Sequence, residues 1–357
     1  MSDNRETIEN VVAALQEGGR ETLLCEGDIG LLSTLERFML PNSQARPSGM
    51  VFNLAEGIQG ECSYDHVPAM IEMVGVPYTG PNPLGHGLAN DKVITRGSSA
   101  IAAYSNFRVM RLGTEDTGDL RLPVVVKPRD AECSHGLQLV HEPTQLRQAV
   151  EAIVTQYAQD AFVEEYIEGR EICVALLGTG ELEVLPLVEQ YFGDRKTRMM
   201  TWEAKYMPAA APKKICPAQI GSRLAAVLRD ISVATFQASQ GRDYARVDLR
   251  SDRSGQPFVL GINNIPSFSM GASYFRAAKI AGNSFSSLAK GGDIAALSRT
   301  PRWRRILCPF RNQPRLIRPK PGHHSRQSTF NILALQWSKA NLLWKLKWNG
   351  RTHIVDF

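Results

Sequence analysis

Lys127 ends the apolar run Leu122-Pro123-Val124-Val125-Val126 and precedes a loop of small and polar residues, Asp130-Ala131-Glu132-Cys133-Ser134-His135-Gly136. A lysine at the end of a buried strand, beside a loop rich in backbone N–H donors, suits a phosphate: the ammonium supplies charge and the loop supplies hydrogen bonds. The same residues read equally well as a solvated strand-end lysine next to an ordinary hairpin loop. Asp248 and Asn263 form a second pair of interest, leaving two strand-like segments, 244–250 and 258–262, joined by a turn at Gly255. Their oxygens could face one divalent cation, since Mg²⁺ in nucleotide sites takes one or two protein oxygens plus phosphates and waters. The competing structural reading pairs Asp248 with Arg246 or Arg250 and uses Asn263 to form the turn before Asn264-Ile265-Pro266. His66, His86, His135 and His141 lack metal-ligand spacing. The absence of G-x-x-x-x-G-K-[ST] excludes a Walker-type phosphate loop, and no G-x-S-x-G elbow points to covalent catalysis.

The elements that must position these groups can be read from periodicity. Ile8, Val11, Val12 and Leu15 mark one face of a helix stopped by Gly18-Gly19. Thr22-Leu23-Leu24-Cys25 and Met50-Val51-Phe52-Asn53-Leu54 read as short buried strands, 67–73 as a helix, and Gly75-Val76-Pro77-Tyr78-Thr79-Gly80 as a strand entering a turn. That alternation predicts a parallel α/β layer. Further along, 122–128, 137–140 and 161–167 are strand-like around a helix at 144–158. Residues 171–177 and 182–187 predict an antiparallel pair, and 219–239 a helix before the 244–250 and 258–262 strands.

The whole chain carries 41 Lys+Arg against 36 Asp+Glu, but that +5 averages two unlike pieces. Residues 298–357 hold 13 Lys+Arg and one acid, Asp356, for +12, which leaves −7 on residues 1–297. A nucleic-acid-binding body is therefore disfavoured. The 6 cysteines are scattered without a C-x-x-C pair, which argues for a reducing, cytoplasmic setting rather than a disulfide framework. No apolar run reaches the roughly 18 residues of a membrane span, and the polar start carries no secretory signal.

Taken in order, the motifs are far more specific than their parts. They are Val51-Phe52-Asn53-Leu54-Ala55-Glu56-Gly57 with Gly60-Glu61, Gly75-Val76-Pro77-Tyr78-Thr79-Gly80, Asn90-Asp91-Lys92, and Val125-Val126-Lys127-Pro128 with its Cys133-Ser134-x-Gly136 loop. Val163-Glu164-Glu165-Tyr166-Ile167-Glu168-Gly169-Arg170-Glu171, Trp202-Glu203-Ala204-Lys205-Tyr206, Ala245-Arg246-Val247-Asp248 and Ile262-Asn263-x-Ile265-Pro266 follow. Over residues 7–291 this set resembles the D-alanine–D-alanine ligase family of ATP-grasp enzymes. The resemblance implies an α/β (α+β) ATP-grasp fold behind a Rossmann-like pre-ATP-grasp domain. The expected divisions are 1–90, 91–167 (small lobe), 168–297 (large lobe) and a basic tail, 298–357.

The resemblance also implies roles. Lys92 and Lys127 would hold the α- and β-phosphates of ATP, Ser134 would cover the transferred phosphate and Lys205 would approach the γ-phosphate. Glu164 would accept from the adenine amino group, the backbone around Glu165 and Ile167 would read the ring edge, and Glu171 would bind the ribose. Arg246 would stabilise the oxyanion, and Asp248 and Asn263 would bind Mg²⁺. Glu61, Tyr206 and Ser273 fall where the family contacts substrate, here amino acids, and the family is commonly dimeric. Three departures stand out. Gly261 replaces the Glu of an E-x-N motif that bridges two Mg²⁺ ions. The opening strand with its Gly-rich turn is missing. The loop reads Ala131-Glu132-Cys133-Ser134 where many members have Glu-Gly-Ser-Ser. An active carboxylate–amine ligase with one Mg²⁺ and an impaired ATP-grasp binding protein are both compatible with Gly261. The tail reads as a solvated linker, a contact for an anionic partner, or the first strand of another α/β domain at 352–357.

Overall fold

A computed structural model of the chain describes residues 2–17, 19–39, 48–57, 62–98, 104, 107–110, 120–130, 134–178, 182–195, 197–284, 330–336, 344–348 and 351–355. Helix α1 (Ser2–Glu17) buries Ile8, Val11, Ala14 and Leu15, a single stripe at helical spacing. Strand β1 (Glu21–Glu26), helix α2 (Leu31–Phe38), strand β2 (Gly49–Asn53) and helix α3 (Ser63–Met73) follow. The strand expected at Gly75–Gly80 does not form as a regular element. Pro77 has no N–H to give, so the segment makes one parallel bridge between Val51 and Tyr78 and then turns at Gly80, φ 88°. Two short helices come next. α4 (Pro83–Asn90) is capped by Asn82 Oδ1, which accepts from Gly85 N at 2.8 Å. α5 (Lys92–Gly97) is capped by Asp91 Oδ1, which accepts from Val93 N and Ile94 N.

The small lobe consists of β3 (Phe107–Met110), β4 (Val124–Pro128), β5 (Gln138–Val140), α6 (Pro143–Tyr157) and β6 (Ala161–Glu165). Its strands form an antiparallel sheet in the order β3-β6-β4-β5. Val124, Val126, Ala161 and Val163 pack against Leu146, Ala149, Val150 and Ile153 of α6. Alternation therefore sends Lys127, Phe162 and Glu164 to the opposite face.

The large lobe contains β7 (Gly169–Leu177), β8 (Glu183–Val184), β9 (Val188–Tyr191), α7 (Trp202–Tyr206), β10 (Lys213–Ile215), α8 (Ser222–Ala238), β11 (Tyr244–Asp252), β12 (Pro257–Asn263) and α9 (Ser273–Ile280). Its main sheet runs β10-β9-β7-β11-β12, with β8 alongside β7. One face, with Ile172, Val174, Leu176, Ala245, Val247 and Leu249, buries Leu228, Ile231 and Phe236 of α8. At one end of the other face, Cys173, Ala175 and Tyr244 join Val11, Leu15, Met50 and Phe52 of the N-terminal unit and Tyr274 and Phe275 of α9. Hydrogen bonds tie the two units together: Gly80 N donates to Asp243 Oδ2 (2.8 Å), Thr79 Oγ1 meets Tyr244 OH (3.0 Å), and Asn264 Nδ2 donates to Gly85 O (3.0 Å).

The described part of the tail forms β13 (Phe330–Gln336), β14 (Trp344–Trp348) and β15 (Arg351–Val355). Strand β13 enters the N-terminal sheet between β1 and β2, antiparallel to both, with Ala334 opposite Leu23 on one side and Val51 on the other. The predicted parallel layer is thus corrected: β1 and β2 run parallel to each other but bond to a strand of the tail. The basic stretch read as a linker, 299–321, lies outside the described residues. β15 pairs antiparallel with β14, Lys345 opposite Ile354.

Gly169 begins β7 opposite Asp252, and a Cβ there would lie 1.9 Å from the Ser251 carbonyl oxygen. Backbone, not a movable side chain, blocks the space. Gly169→Ala is expected to lower unfolding free energy by about 2–3 kcal/mol in urea titrations; a loss under about 0.5 kcal/mol would show that the strand end shifts freely.

Candidate functional site

Three strands place a row of polar groups on the sheet face opposite α8. Glu171 and Cys173 on β7, Arg246, Asp248 and Arg250 on β11, and Gly261 and Asn263 on β12 share that face by alternation. The register sets Asp248 between Cys173 and Gly261, Arg246 opposite Asn263, and Arg250 opposite Glu171. Arg246 donates to both Asp248 oxygens, at 2.7 and 2.8 Å. Burial works to raise the Asp248 carboxyl, but the Arg246 guanidinium outweighs it and holds the group below its usual range. Asn263 Oδ1 accepts from Ile265 N at 3.0 Å. At Gly261 the β11–β12 ladder shifts register, φ is 159°, and nothing lies within 4 Å of where a Cβ would stand.

Glu171 is buried beside Arg250, whose Nε is 3.6 Å from Oε2. Burial pushes its carboxyl up to about 7, with Arg250 opposing and Asp248 adding to the rise. Arg250 also donates to Ile167 O at 2.7 Å and lies over the Tyr166 ring, 4.9 Å from its centroid.

Facing this row is the polar side of the small lobe. Lys127 donates to Glu164 Oε1 and Arg96 to Glu164 Oε2, so one carboxylate holds two cations. Burial works to raise the Glu164 carboxyl; Arg96 and Lys127 overcome it and keep the group ionised. Burial pushes the Lys127 ammonium down against the pull of Glu164. Lys92 Nζ donates to Arg129 O at 3.1 Å, and Arg129 binds Asp91 at the start of the same helix. Lys205 stands exposed on α7, and its charge acts on Lys127, Glu171 and Asp248, so it overlooks both lobes. Ser134 adopts φ 60° and donates to Met200 O at 2.7 Å, joining the loop after β4 to the segment before α7.

The fold therefore brings together Lys127, Glu164, Glu171, Lys205, Arg246, Asp248 and Asn263. Others stand apart. Tyr206 packs at a tilt on Trp202, ring centroids 5.3 Å apart and planes 38° to one another, and the side chain of Glu165 turns to Arg121, accepting from its backbone N–H at 2.9 Å. Ser273, at the start of α9, is buried against Gln190, which donates to its Oγ at 2.7 Å. Glu61 and loop residues 131–133 lie outside the described residues. Arg96 and Gln190 escaped sequence reasoning, and Arg250, read there as a partner for Asp248, pairs instead with Glu171. Arg96 carried one usable signal, its helical i+4 spacing from Lys92, and the strand alternation that places Gln190 opposite Glu171 was another. Among the described residues no three His, Cys, Asp or Glu side chains gather as a metal cluster, and no helix is long and apolar enough to cross a membrane.

Known proteins resemble this chain in sequence and in fold. Residues 104–291 match the family described as D-ala D-ala ligase C-terminus. A Sinorhizobium fredii protein, y4sG, itself uncharacterized, is 65% identical over 285 residues, covering 79% of this chain and 85% of its own. The D-alanine–D-alanine ligase of Desulfotalea psychrophila is 33% identical over 222 residues, 60% of this chain and 68% of its own. Two solved structures share the fold at a TM-score of 0.55. The Bacillus anthracis D-alanine–D-alanine ligase complexed with ATP is 21% identical and is matched over 68% of this chain and 77% of its own. The Enterococcus faecalis VanG D-Ala:D-Ser ligase is 23% identical, with 65% and 68% covered. The architecture is thus an ATP-grasp fold behind an N-terminal α/β unit, and the chain belongs to the D-alanine–D-alanine ligase family.

Because the Glu171 carboxyl is raised from 4.5 to about 7, the folded chain holds a proton there that the unfolded chain releases near pH 4.5. Its contribution to stability is greatest below that point and falls as pH rises toward 7. Relative to Glu171→Gln, the wild type should lose a few kcal/mol of unfolding free energy between pH 4 and pH 8, measured by urea unfolding across the range. A constant difference would mean that the Glu171 carboxyl titrates alike in the folded and unfolded chain.

Proposed function

We propose that the protein is an ATP-dependent ligase that joins the carboxylate of one amino acid to the amine of another. The observation that carries the reading is the opposition of two charged surfaces: Lys127 and Glu164 on the small lobe face Arg246 and Asp248 on the large lobe, with Lys205 above both. Such an arrangement positions a triphosphate and neutralises charge developing during transfer, without a nucleophile from the protein. A carboxylate oxygen of the first substrate attacks the γ-phosphorus and ADP leaves. The amine of the second attacks the acylphosphate carbon, and phosphate and a proton depart as the amide forms. In this reading Lys92 and Lys127 hold phosphates, Glu164 and the backbone near Glu165 and Ile167 read adenine, and Glu171 binds the ribose. Ser134 covers the transferred group and Arg246 faces the tetrahedral oxyanion. Glu61, Tyr206 and Ser273 are assigned to the amino-acid substrates. Homodimeric assembly and a cytoplasmic setting belong to the same proposal on family membership alone.

The donor set suits one Mg²⁺ ion held jointly with nucleotide phosphates, since Asp248 and Asn263 supply hard oxygens from adjacent strands. Asp248 and Asn263 would hold it, and it would neutralise phosphate charge when bound. A second, protein-bridged ion has no carboxylate at Gly261. That absence favours a second reading, a nucleotide-binding member with weakened turnover.

Purified protein given ATP, Mg²⁺ and a panel of amino acids is expected to release ADP and phosphate with at least one pair; no release with any pair would leave only the binding reading. Gly261→Glu then separates the two. If Gly261 is a lesion, Mg²⁺-dependent turnover should rise on the order of 10²-fold, while unchanged turnover means that the site works without an acid there.

A further inference from the structure

Arg96 has no part in the chemistry above, yet it is 3% exposed and joins both lobes. Nη1 donates to Glu164 Oε2 on β6, and Nη2 donates to the carbonyl of Leu260 on β12, the residue before Gly261. Its guanidinium carbon lies 5.4 Å from the Phe162 ring centroid, and Lys127 Nζ lies 5.3 Å from the same centroid. Both cations thus share one aromatic ring and one carboxylate, each taking a different oxygen of Glu164. The anchoring is firm on the Arg96 side. It sits in α5, whose start is fixed by Asp91, and it shares a helix face with Lys92 four residues earlier.

Two cations on one buried carboxylate exceed what neutrality needs. If Lys127 were the only partner, moving it to a phosphate would strand an ionised carboxylate in a dry site, which is strongly unfavourable. Lysine would then stay with the glutamate. A second cation that cannot leave removes this obstacle. The guanidinium reaches Glu164 and Leu260 at once, which a lysine in its place would not do.

Granted the nucleotide site proposed above, we propose that Arg96 is a positioning residue that keeps Glu164 ionised and in place so that Lys127 is released to the phosphates of a nucleoside triphosphate. What it does to Glu164 as an adenine contact is common to ATP and adenosine; the release of Lys127 concerns the anionic tail alone. Removing it should therefore weaken ATP far more than adenosine.

Isothermal titration of the full chain with ATP and with adenosine provides the test. Wild type should prefer ATP. Arg96→Met should cut the ATP-to-adenosine affinity ratio about tenfold or more, because Lys127 stays on Glu164. Adding Glu164→Gln to Arg96→Met should restore much of the ratio, because a neutral amide no longer retains the lysine. A structural role alone predicts equal losses for both ligands, so an unchanged ratio in Arg96→Met overturns the inference, as does a double variant without recovery. Should Arg96→Met fail to fold, Arg96→Gln, which still donates to Leu260 O, replaces it with the same expected fall. Wild type that binds ATP no better than adenosine would instead overturn the nucleotide-site reading itself.

Discussion

The ladder between β7 and β11 is the constraint on which the candidate site depends. Every residue from Gly169 to Leu177 is paired, in register, with one from Asp252 back to Tyr244. Because side chains alternate, this single register sends Ile172, Val174, Leu176, Ala245, Val247 and Leu249 to α8 and sends Glu171, Cys173, Arg246, Asp248 and Arg250 the other way. A slip of one residue would turn three charged groups of β11 into the hydrophobic layer and expose its apolar set. Each large aliphatic side chain in that layer contributes roughly 1.5–3 kcal/mol by burial, so the core enforces the order of charges on the far face. Function in this architecture is the polar remainder of a packing decision made by valines and leucines.

The buried charges have a different logic. Glu164, Glu171, Arg96 and Arg250 are all nearly inaccessible to water, and each would be costly alone. Their pairing removes most of that cost but contributes little net stability, since hydrophobic groups of the same size would serve a core as well or better. A cluster of this kind is better explained by what it does to neighbouring groups. Around Glu164 the surplus is positive, with two cations for one carboxylate. Around Glu171 the balance is closer, and burial wins over Arg250 to leave the carboxyl titrating at about 7. The two glutamates sit seven residues apart in sequence, yet their surroundings push their carboxyls in opposite directions.

Much of this was legible in the sequence, and the failures have physical causes. The apolar runs at 124–128 and 161–165 and the alternation at 244–250 specified β4, β6 and β11 because local periodicity is enough to define a strand with one buried face. The N-terminal sheet was misread because its middle strand arrives from residues 330–336, and no local pattern in β1 or β2 announces so distant a partner. The Pro77 segment failed because a strand needs donors as well as apolar residues. At the site, sequence spacing offered two readings of Asp248 and Asn263, metal ligands or structural groups. The fold realises the structural contacts, Arg246 on Asp248 and the Ile265 N–H on Asn263, without removing either residue from a shared face. Arg96 was overlooked because its partners, Glu164 and Leu260, are remote in sequence and meet only when the lobes are assembled.

Gly261 brings these arguments together. It stands opposite Asp248, so a carboxylate at that position would have lain beside Asp248 and shared the positive charge of Arg246. Without it, Asp248 is the sole acid on that stretch of β11 and β12, and Arg246 already engages both of its oxygens. In the proposed site a metal ion would therefore compete with the guanidinium for one carboxylate. The ion gains only if other oxygens accompany it, because Asn263 offers one neutral oxygen that is already accepting the Ile265 N–H. Nucleotide phosphates are the oxygens that satisfy this condition. On the proposed reading they would also give Arg246 an alternative anionic partner, so that cation and nucleotide would bind as one unit rather than in sequence.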